Sequence, residues 1–551
     1  MLRVKKIKGN LYLYEVTPYY DPVTKKRSQE STYLRKIYPF EDLQNLSRKA
    51  PLLPETPPKV KEVKAYGDAY VFHHLVEELG LRHLLLKCFS EEDTHLLLLL
   101  TGYRLLSGQA LQHLESWMES SDLLSFYPYS ASLSSPALSK TLHHLGKNSD
   151  EVFPQFFLHW SQKINRQGCS LLFDITSFSS QAREMEVLEY GYSKDASPYP
   201  QLNLGLLVNA EQHLPLYYEV YPGSLKDVSL LARMAQEAHL LGIPSLRFIL
   251  DRGFYSRYNL EVLQKQRHAF LLPLPRTASK LTHTLMHKYR KALENPERVL
   301  LLKGKPLFAL GAWVELPEIA ASSPDASSAS SKGKARDKLS LYMGMYLDPQ
   351  RQQQEQQVFL TELLLAQDRL QKIPWTLYAT PIQRAEAWKE EAGKWAKYLS
   401  LPKDPQSNEV ILLRNKAAIE EKMQSQGIMI LLSSTEEDLS SMLQQYRERD
   451  EVEKLFDAGK NELEGTPLRV HRNETMKSTL FVLFLSLIVQ CYAGGKMKEA
   501  EIEHQYSLQS LFRELHKLKK ALWNGKTELF NEMTKTQQTL LQQLHIVLPN
   551  F

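Results

Sequence analysis

Four short apolar runs, CSLLFD (169–174), LNLGLLVN (202–209), LPLYYEVY (214–221) and RFILD (247–251), decide the fold of this chain. Each has the length of a strand and is bounded by turn residues, which predicts sheet. VSLLARMAQEAHLLG (228–242) and SRYNLEVLQKQ (256–266) flank the fourth run with helix-like patterns, and HAFLLPL (268–274) is a further strand-like run. Strands in hairpin order, followed by strands alternating with helices, predict a mixed α/β sheet over residues 166–275. Asp174 and Asp251 each close an apolar run. A carboxylate in that place projects where a strand emerges from the sheet, which is where ligands meet open α/β sheets. For either Asp alone, the start of a turn or a helix cap is the plainer alternative.

A third carboxylate comes from SSTEEDLSSMLQQYRERDEVEKLFDAGKNEL (433–463), read as one long helix that follows the strand-like GIMILLS (427–433). Ser434 and Glu437 have the spacing of a capping box. Tyr446, Arg449, Glu453, Phe456 and Lys460 recur at helical spacing along one stripe, so Glu453 faces protein rather than water. A buried carboxylate needs a cation or donors. An internal ion-pair network with Arg449 and Lys460 is the alternative to a metal site. Three carboxylates from two strands and a helix suit Mg²⁺, which prefers oxygen ligands. Two such ions, about 3.5–4 Å apart, activate a nucleophilic oxygen and stabilise a leaving one in phosphodiester exchange.

Outward from this core, residues 1–62 read as a basic β-hairpin around DPVTKK (21–26) with a Pro-rich linker. Residues 63–165 read as a helical domain, a candidate for DNA binding through the helix at Ser139 and Lys140. Residues 276–425 read as an inserted domain containing the low-complexity stretch 322–338. Residues 426–495 return to the core, with Leu480–Val489 expected as a buried helix against its sheet, and 496–551 read as a helical region. The segment from Lys265 to Lys305 is rich in Lys and Arg, fitting either a phosphate-tracking surface or a solvated helix face. Gly525-Lys526-Thr527 lacks the first glycine of a phosphate loop, since position 520 is Lys.

With 551 residues, 43% hydrophobic and 24% charged, the chain has material for several cores and is neither disordered nor collagen-like. Its net charge of +5 is too small to name a nucleic-acid partner. Three separated cysteines, Cys88, Cys169 and Cys491, exclude a disulfide scaffold and a cysteine zinc site. No apolar leader opens the sequence, and Leu480–Val489 is shorter than the roughly 20 residues of a membrane span. A soluble protein of the cytosol, without a membrane partner, is expected.

The spacing Y-x2-R-x3-E-x6-K, met by Tyr446, Arg449, Glu453 and Lys460, resembles the YREK signature of bacterial insertion-sequence DDE transposases. LLFDITSFSS (171–180), GYSKDASPYPQLNLGLLVN (191–209), LPLYYEVYPGSLKD (214–227) and LDRGFYS (250–256) resemble the two Asp blocks of that family, in order. The resemblance implies an RNase H-like core interrupted by a mainly β insertion domain, in agreement with the 202 residues that separate Asp251 from Glu453. It implies that Asp174, Asp251 and Glu453 are the catalytic, metal-binding triad for two Mg²⁺ ions, for which Mn²⁺ substitutes. It further implies that Tyr446, Arg449 and Lys460 contact phosphates of the transposon end. The implied activity is cleavage at the element's ends and joining of the 3′-hydroxyl to target DNA. Partners would be double-stranded terminal inverted repeats and target DNA, bound by a homodimer, in the bacterial cytoplasm and at the nucleoid. Ser224 in PGSLKD stands where relatives often have Asn, which leaves the role of that loop open. Trp313, Trp375, Trp388 and Trp395 are candidates for stacking a flipped base. A nuclease without strand transfer, or a catalytically silent transposase-derived DNA-binding protein, are the alternatives.

Overall fold

The computed structural model describes residues 1–22, 25–38, 41–49, 60–164, 170–182, 185–191, 198–225, 227–240, 247–275, 280–316, 339–378, 380–402, 411–462, 468–523 and 527–549. Cys169, most of the Pro-rich linker, the low-complexity stretch 322–338 and Gly525-Lys526 lie outside these residues. The fold is mixed α/β. The chain divides into two compact units: Met1–Phe156 with Ala458–Phe551, and Phe157–Asp457.

The first unit opens with β1 (Leu2–Ile7), β2 (Asn10–Asp21) and β3 (Lys26–Lys36), an antiparallel sheet in that order. The strands flanking DPVTKK are β2 and β3, so the expected hairpin has a third strand, β1, on its outer edge. After β4 (Val60–Ala65) come the helices Gly67–Glu78, Leu81–Cys88 and Glu91–Ser107. Ser90 caps the last of these by accepting from the Asp93 amide. The helix Ser135–Lys147 exposes Ser139 and Lys140 and buries Leu138, Leu142 and Leu145.

In the second unit, β5 (Ser170–Ser179), β6 (Gln201–Asn209) and β7 (Pro215–Pro222) form an antiparallel meander. The helix Asp227–Leu240 leads to β8 (Arg247–Ile249), parallel to β5, and the helix Arg257–Lys265 leads to β9 (Ala269–Pro273), parallel to β8. Residues 276–425 depart from the expected mainly β insertion. Three of their strands, β10 (Val299–Leu302), β11 (Lys305–Leu316) and β12 (Leu339–Leu347), join the main sheet. The helices Pro349–Gln371, Pro381–Ala392 and Lys416–Ser425, with the short pair β13 (Leu399–Ser400) and β14 (Leu413–Arg414), make up much of the rest. Phe359, Leu363, Leu370 and fully buried Trp375 give this helical part its own core. β15 (Ile428–Ser433) pairs with both β12 and β9, completing a nine-stranded sheet in the order β10-β11-β12-β15-β9-β8-β5-β6-β7.

The chain then returns to the first unit. The helix Asn473–Glu499 is apolar on all sides, and its residues Leu480–Val489 are all buried. By length and composition it is long enough to cross a membrane. It packs on the helices Glu91–Ser107 and Ser135–Lys147 of the first unit, and is buried as expected. Gly146 permits the close crossing, since a Cβ there would lie 1.8 Å from the Glu474 carbonyl oxygen. The final region is not wholly helical either. After the helix Leu508–Leu515, the KKALW stretch becomes β16 (Lys519–Trp523), paired with β4 and with β17 (Thr527–Phe530). Partly buried Lys520 pairs there with Asp122, and tertiary pairing overrides the helical pattern.

Candidate functional site

Strand register positions the two aspartates. β5 and β8 run parallel with Leu172 opposite Ile249. Asp174 and Asp251 each follow that pair by two residues, and because side chains alternate with a period of two, both carboxylates emerge on the same face. Asp174 does not end its strand, as the sequence suggested, but sits inside β5, which runs on to Ser179. It is β8 that stops short. Asp174 is buried, between buried Phe173 and Ile175, and its carboxylate accepts from the Ile175 amide at 2.8 Å. Asp251 heads a tight turn, Arg252–Phe254, that is anchored by the buried Phe254 ring against Phe173 at 5.2 Å. Asn259 donates to the Phe254 carbonyl, and Ser256 caps the following helix, so the GFYS stretch holds Asp251 in place.

The third element is not one continuous helix. It begins at Leu439, where Asp438 rather than Ser434 is the cap and accepts from the Ser441 amide. Glu437, the expected capping-box partner, instead pairs with Arg247 and Ser433, tying the start of β8 to the end of β15. The helix Leu439–Glu448 gives way at Arg449 to a second, Asp450–Asp457, which packs on β5 and passes into a π turn, Ala458–Glu462. The one-turn step from Arg449 to Glu453 survives this break, and their side chains meet at 2.8 Å.

Arg449 is the centre of the cluster. Its guanidinium lies 3.6 Å from Asp174, 3.9 Å from Asp251 and 2.8 Å from Glu453. Burial works against its charge, but the fields of Asp251, Tyr446, Asp174 and Glu453 outweigh burial and hold the guanidinium above its ordinary pKa. Among the described residues, its buried Nε has no hydrogen-bond partner. The half-buried Tyr446 ring lies 5.9 Å from the guanidinium, and burial raises the pKa of the phenol. Lys460 is buried in the π turn, which falls in the other compact unit.

Among the described residues, no three His, Cys, Asp or Glu side chains stand at metal-holding separation. The three acids converge instead on a cation supplied by the protein. Counted over these four side chains, three carboxylates against one guanidinium leave two negative charges. Carboxylates gathered round one guanidinium still repel one another at the effective dielectric of a partly buried site. By its chemistry, oxygen only and doubly negative in excess, the donor set suits a hard divalent cation, although in this arrangement the acids are gathered round Arg449 rather than at metal-holding separation. Contrary to the expectation that its stripe turns it toward protein, Glu453 is 55% exposed, because only its Arg449 neighbour one turn back is drawn into the site, while Asp174 is almost closed to solvent.

Of the tryptophans, Trp375 is fully buried, donating to the Leu370 carbonyl, and Trp388 and Trp395 pack around the same helical core. Trp313 is half exposed on β11 and donates to Glu436. Ser224 is tied to Glu189 beside Gly223, where a Cβ would meet the Gln201 carbonyl oxygen at 2.1 Å. In the basic Lys265–Lys305 segment, Arg290 pairs with Glu294 and His283 with Glu421. The Arg247–Glu437 brace was not foreseen from sequence; its one signal was a charged residue opening an otherwise apolar run.

Comparison with curated proteins gives no match. Among solved structures, the chain is similar to a piggyBac transposase determined by cryo-EM as a synaptic complex with hairpin DNA. The two are 10% identical, with a TM-score of 0.36 over 82% of this chain and 79% of that one. A family model described as a transposase DDE domain matches residues 168–489, more than half of the sequence and a span that includes Asp174, Asp251 and Glu453. The chain belongs to the transposase DDE domain family.

Proposed function

We propose that this transposase cleaves DNA at the ends of its own insertion sequence and joins the freed 3′-hydroxyl to target DNA, with Asp174, Asp251 and Glu453 as the catalytic carboxylates. The observation that carries the reading is their convergence on Arg449 from two parallel strands and a helix. The order β7-β6-β5-β8-β9, with β5, β8 and β9 parallel and β6 antiparallel, supports an RNase H-like core. The motif spacing supports membership of the bacterial YREK group, and with it a place of action in the cytoplasm, at the nucleoid.

Two Mg²⁺ ions, or Mn²⁺, bound at this site would supply Lewis-acid stabilisation of the attacking and leaving oxygens. The protein's own part is to gather the carboxylates, to keep Asp174 dry and rigid in the sheet, and to present Glu453 toward solvent and substrate. Arg449 balances part of the acid charge without DNA, and with Tyr446 and Lys460 contacts phosphates of the transposon end when DNA is bound. A guanidinium serves both tasks, since it pairs with carboxylate and phosphate alike. Synapsis of two terminal inverted repeats calls for a homodimer on DNA.

The test is a strand-transfer assay with labelled end DNA, target DNA and Mg²⁺. Joined product is expected. Cleavage without joining would make the protein a nuclease, and binding alone would make it a silent DNA-binding relic. Asp174→Asn, Asp251→Asn and Glu453→Gln should each lower cleavage by about 10³-fold or more, since a catalytic metal contributes several kcal/mol, while end binding remains. Retained cleavage in any one variant removes that residue from the assignment.

A further inference from the structure

The positive charge of this chain is not spread over it. Residues 1–36 hold six Lys and three Arg against three Asp and Glu, a net charge of +6, whereas the whole chain carries +5. The remainder is therefore close to neutral, at −1. These residues form β1, β2 and β3, and the sheet changes character along its length. β1 pairs with β2 only as far as Glu15. From Val16↔Ser31 to Asp21↔Lys26, β2 and β3 continue as a ribbon of two strands. All residues of Thr17–Tyr20 and Lys25–Tyr33 are exposed. The ribbon thus projects by about 20 Å, at about 3.4 Å per residue, with no core on either face. A two-stranded ribbon in water is marginally stable at best.

We infer that the β2–β3 arm is a DNA-binding ribbon that enters the major groove of duplex DNA. The major groove admits a two-stranded β-ribbon. At the arm's tip, Lys25, Lys26 and Arg27 meet phosphates, and exposed Tyr19 and Tyr20 lie beside them on β2, Tyr20 directly opposite Arg27. Protection of a bare sheet edge explains Pro18 and one lysine. It does not explain why the entire charge excess of the molecule sits in this sheet. The inference rests on the proposed reading that the substrate is duplex DNA, and it assigns that substrate a second contact surface, in a different compact unit from the three carboxylates.

The test uses the full chain and a fluorescein-labelled, mixed-sequence duplex, titrated by anisotropy over a series of KCl concentrations. Lys25→Ala/Lys26→Ala/Arg27→Ala should make the slope of log affinity against log salt shallower by about 2–3, and weaken binding roughly 10²-fold near physiological salt. Folding is checked by an unchanged melting temperature. Lys372→Ala/Lys394→Ala/Lys416→Ala removes the same charge from the helical part of the other unit and should have little effect. Unchanged binding in the tip variant overturns the inference, as does an equal loss in the control, which would mean diffuse attraction. A loss confined to single-stranded RNA or to polyglutamate overturns it in favour of another partner. If cleavage fails but binding depends on the arm, the transposition reading falls and the arm stands. If cleavage proceeds and the tip variant binds normally, the arm falls alone. A wild-type chain that binds no duplex sinks both.

Discussion

Arg449 does for the isolated protein what a divalent cation does in the proposed reaction: it offsets carboxylates that would otherwise repel. Arg449→Ala should therefore lower stability by roughly 2–4 kcal/mol, less than for a fully buried cluster because Glu453 is largely solvated. Mg²⁺ or Ca²⁺ should then raise the melting temperature of the variant more than that of the wild type, since the guanidinium no longer competes for the acids. Equal shifts in the two proteins would show that Arg449 is not in competition with the metal. At this scale the sequence singled out the right neighbours: Asp174, Asp251, Arg449 and Glu453, picked out by apolar runs, helical spacing and the family resemblance, lie together in the structure, although Asp174 sits inside its strand and Glu453 turns outward. The Arg247–Glu437 brace was not legible, because its partners are 190 residues apart and neither belongs to a pattern.

Helices and strands were legible in kind more often than in extent. The Glu-bearing helix was found, but its cap was placed at Ser434 instead of Asp438, since several capping residues occur in a row in SSTEED. Asp438→Ala should cost about 1 kcal/mol. The Ser441 amide holds the Asp438 carboxyl below the usual carboxylate range, so its contribution is complete above the unfolded value of about 3.9 and is lost as pH falls through the lower folded value. Urea melts of the two proteins should thus differ at neutral pH and converge in strong acid. The strand KKALW was missed because nothing within it announces β4 as a partner. Helix crossings are equally silent in sequence. Gly146→Ala gains about 1 kcal/mol of helix propensity, yet places a methyl group against the Glu474 carbonyl and should destabilise by roughly 1–3 kcal/mol net through overpacking. A rise in melting temperature would show that the two helices can separate without loss.

At the scale of the whole molecule, the Asn473–Glu499 helix and the nine-stranded sheet belong to different compact units. Calorimetry should resolve two transitions, of which Mg²⁺ or Ca²⁺ raises only the one belonging to Phe157–Asp457, by about 2.7 kcal/mol at a hundredfold excess over Kd. Asp174→Asn should abolish that shift. If both transitions move together, the units melt cooperatively and the assignment of the ion to one of them fails. The apolar residues of β10–β12 do not say that these strands extend the sheet through β15, because strand order is set by long-range pairing.

The common register of β5 and β8 also says which changes of chain length evolution or an engineer can make here. The second aspartate and the glutamate are 202 positions apart, and the loops between them can grow or shrink with little effect on the chemistry. A single codon inserted between Leu172 and Asp174, or between Ile249 and Asp251, would turn one acid to the far side of the sheet. The reading frame of the fold is thus fixed to one amino acid at these two strand positions.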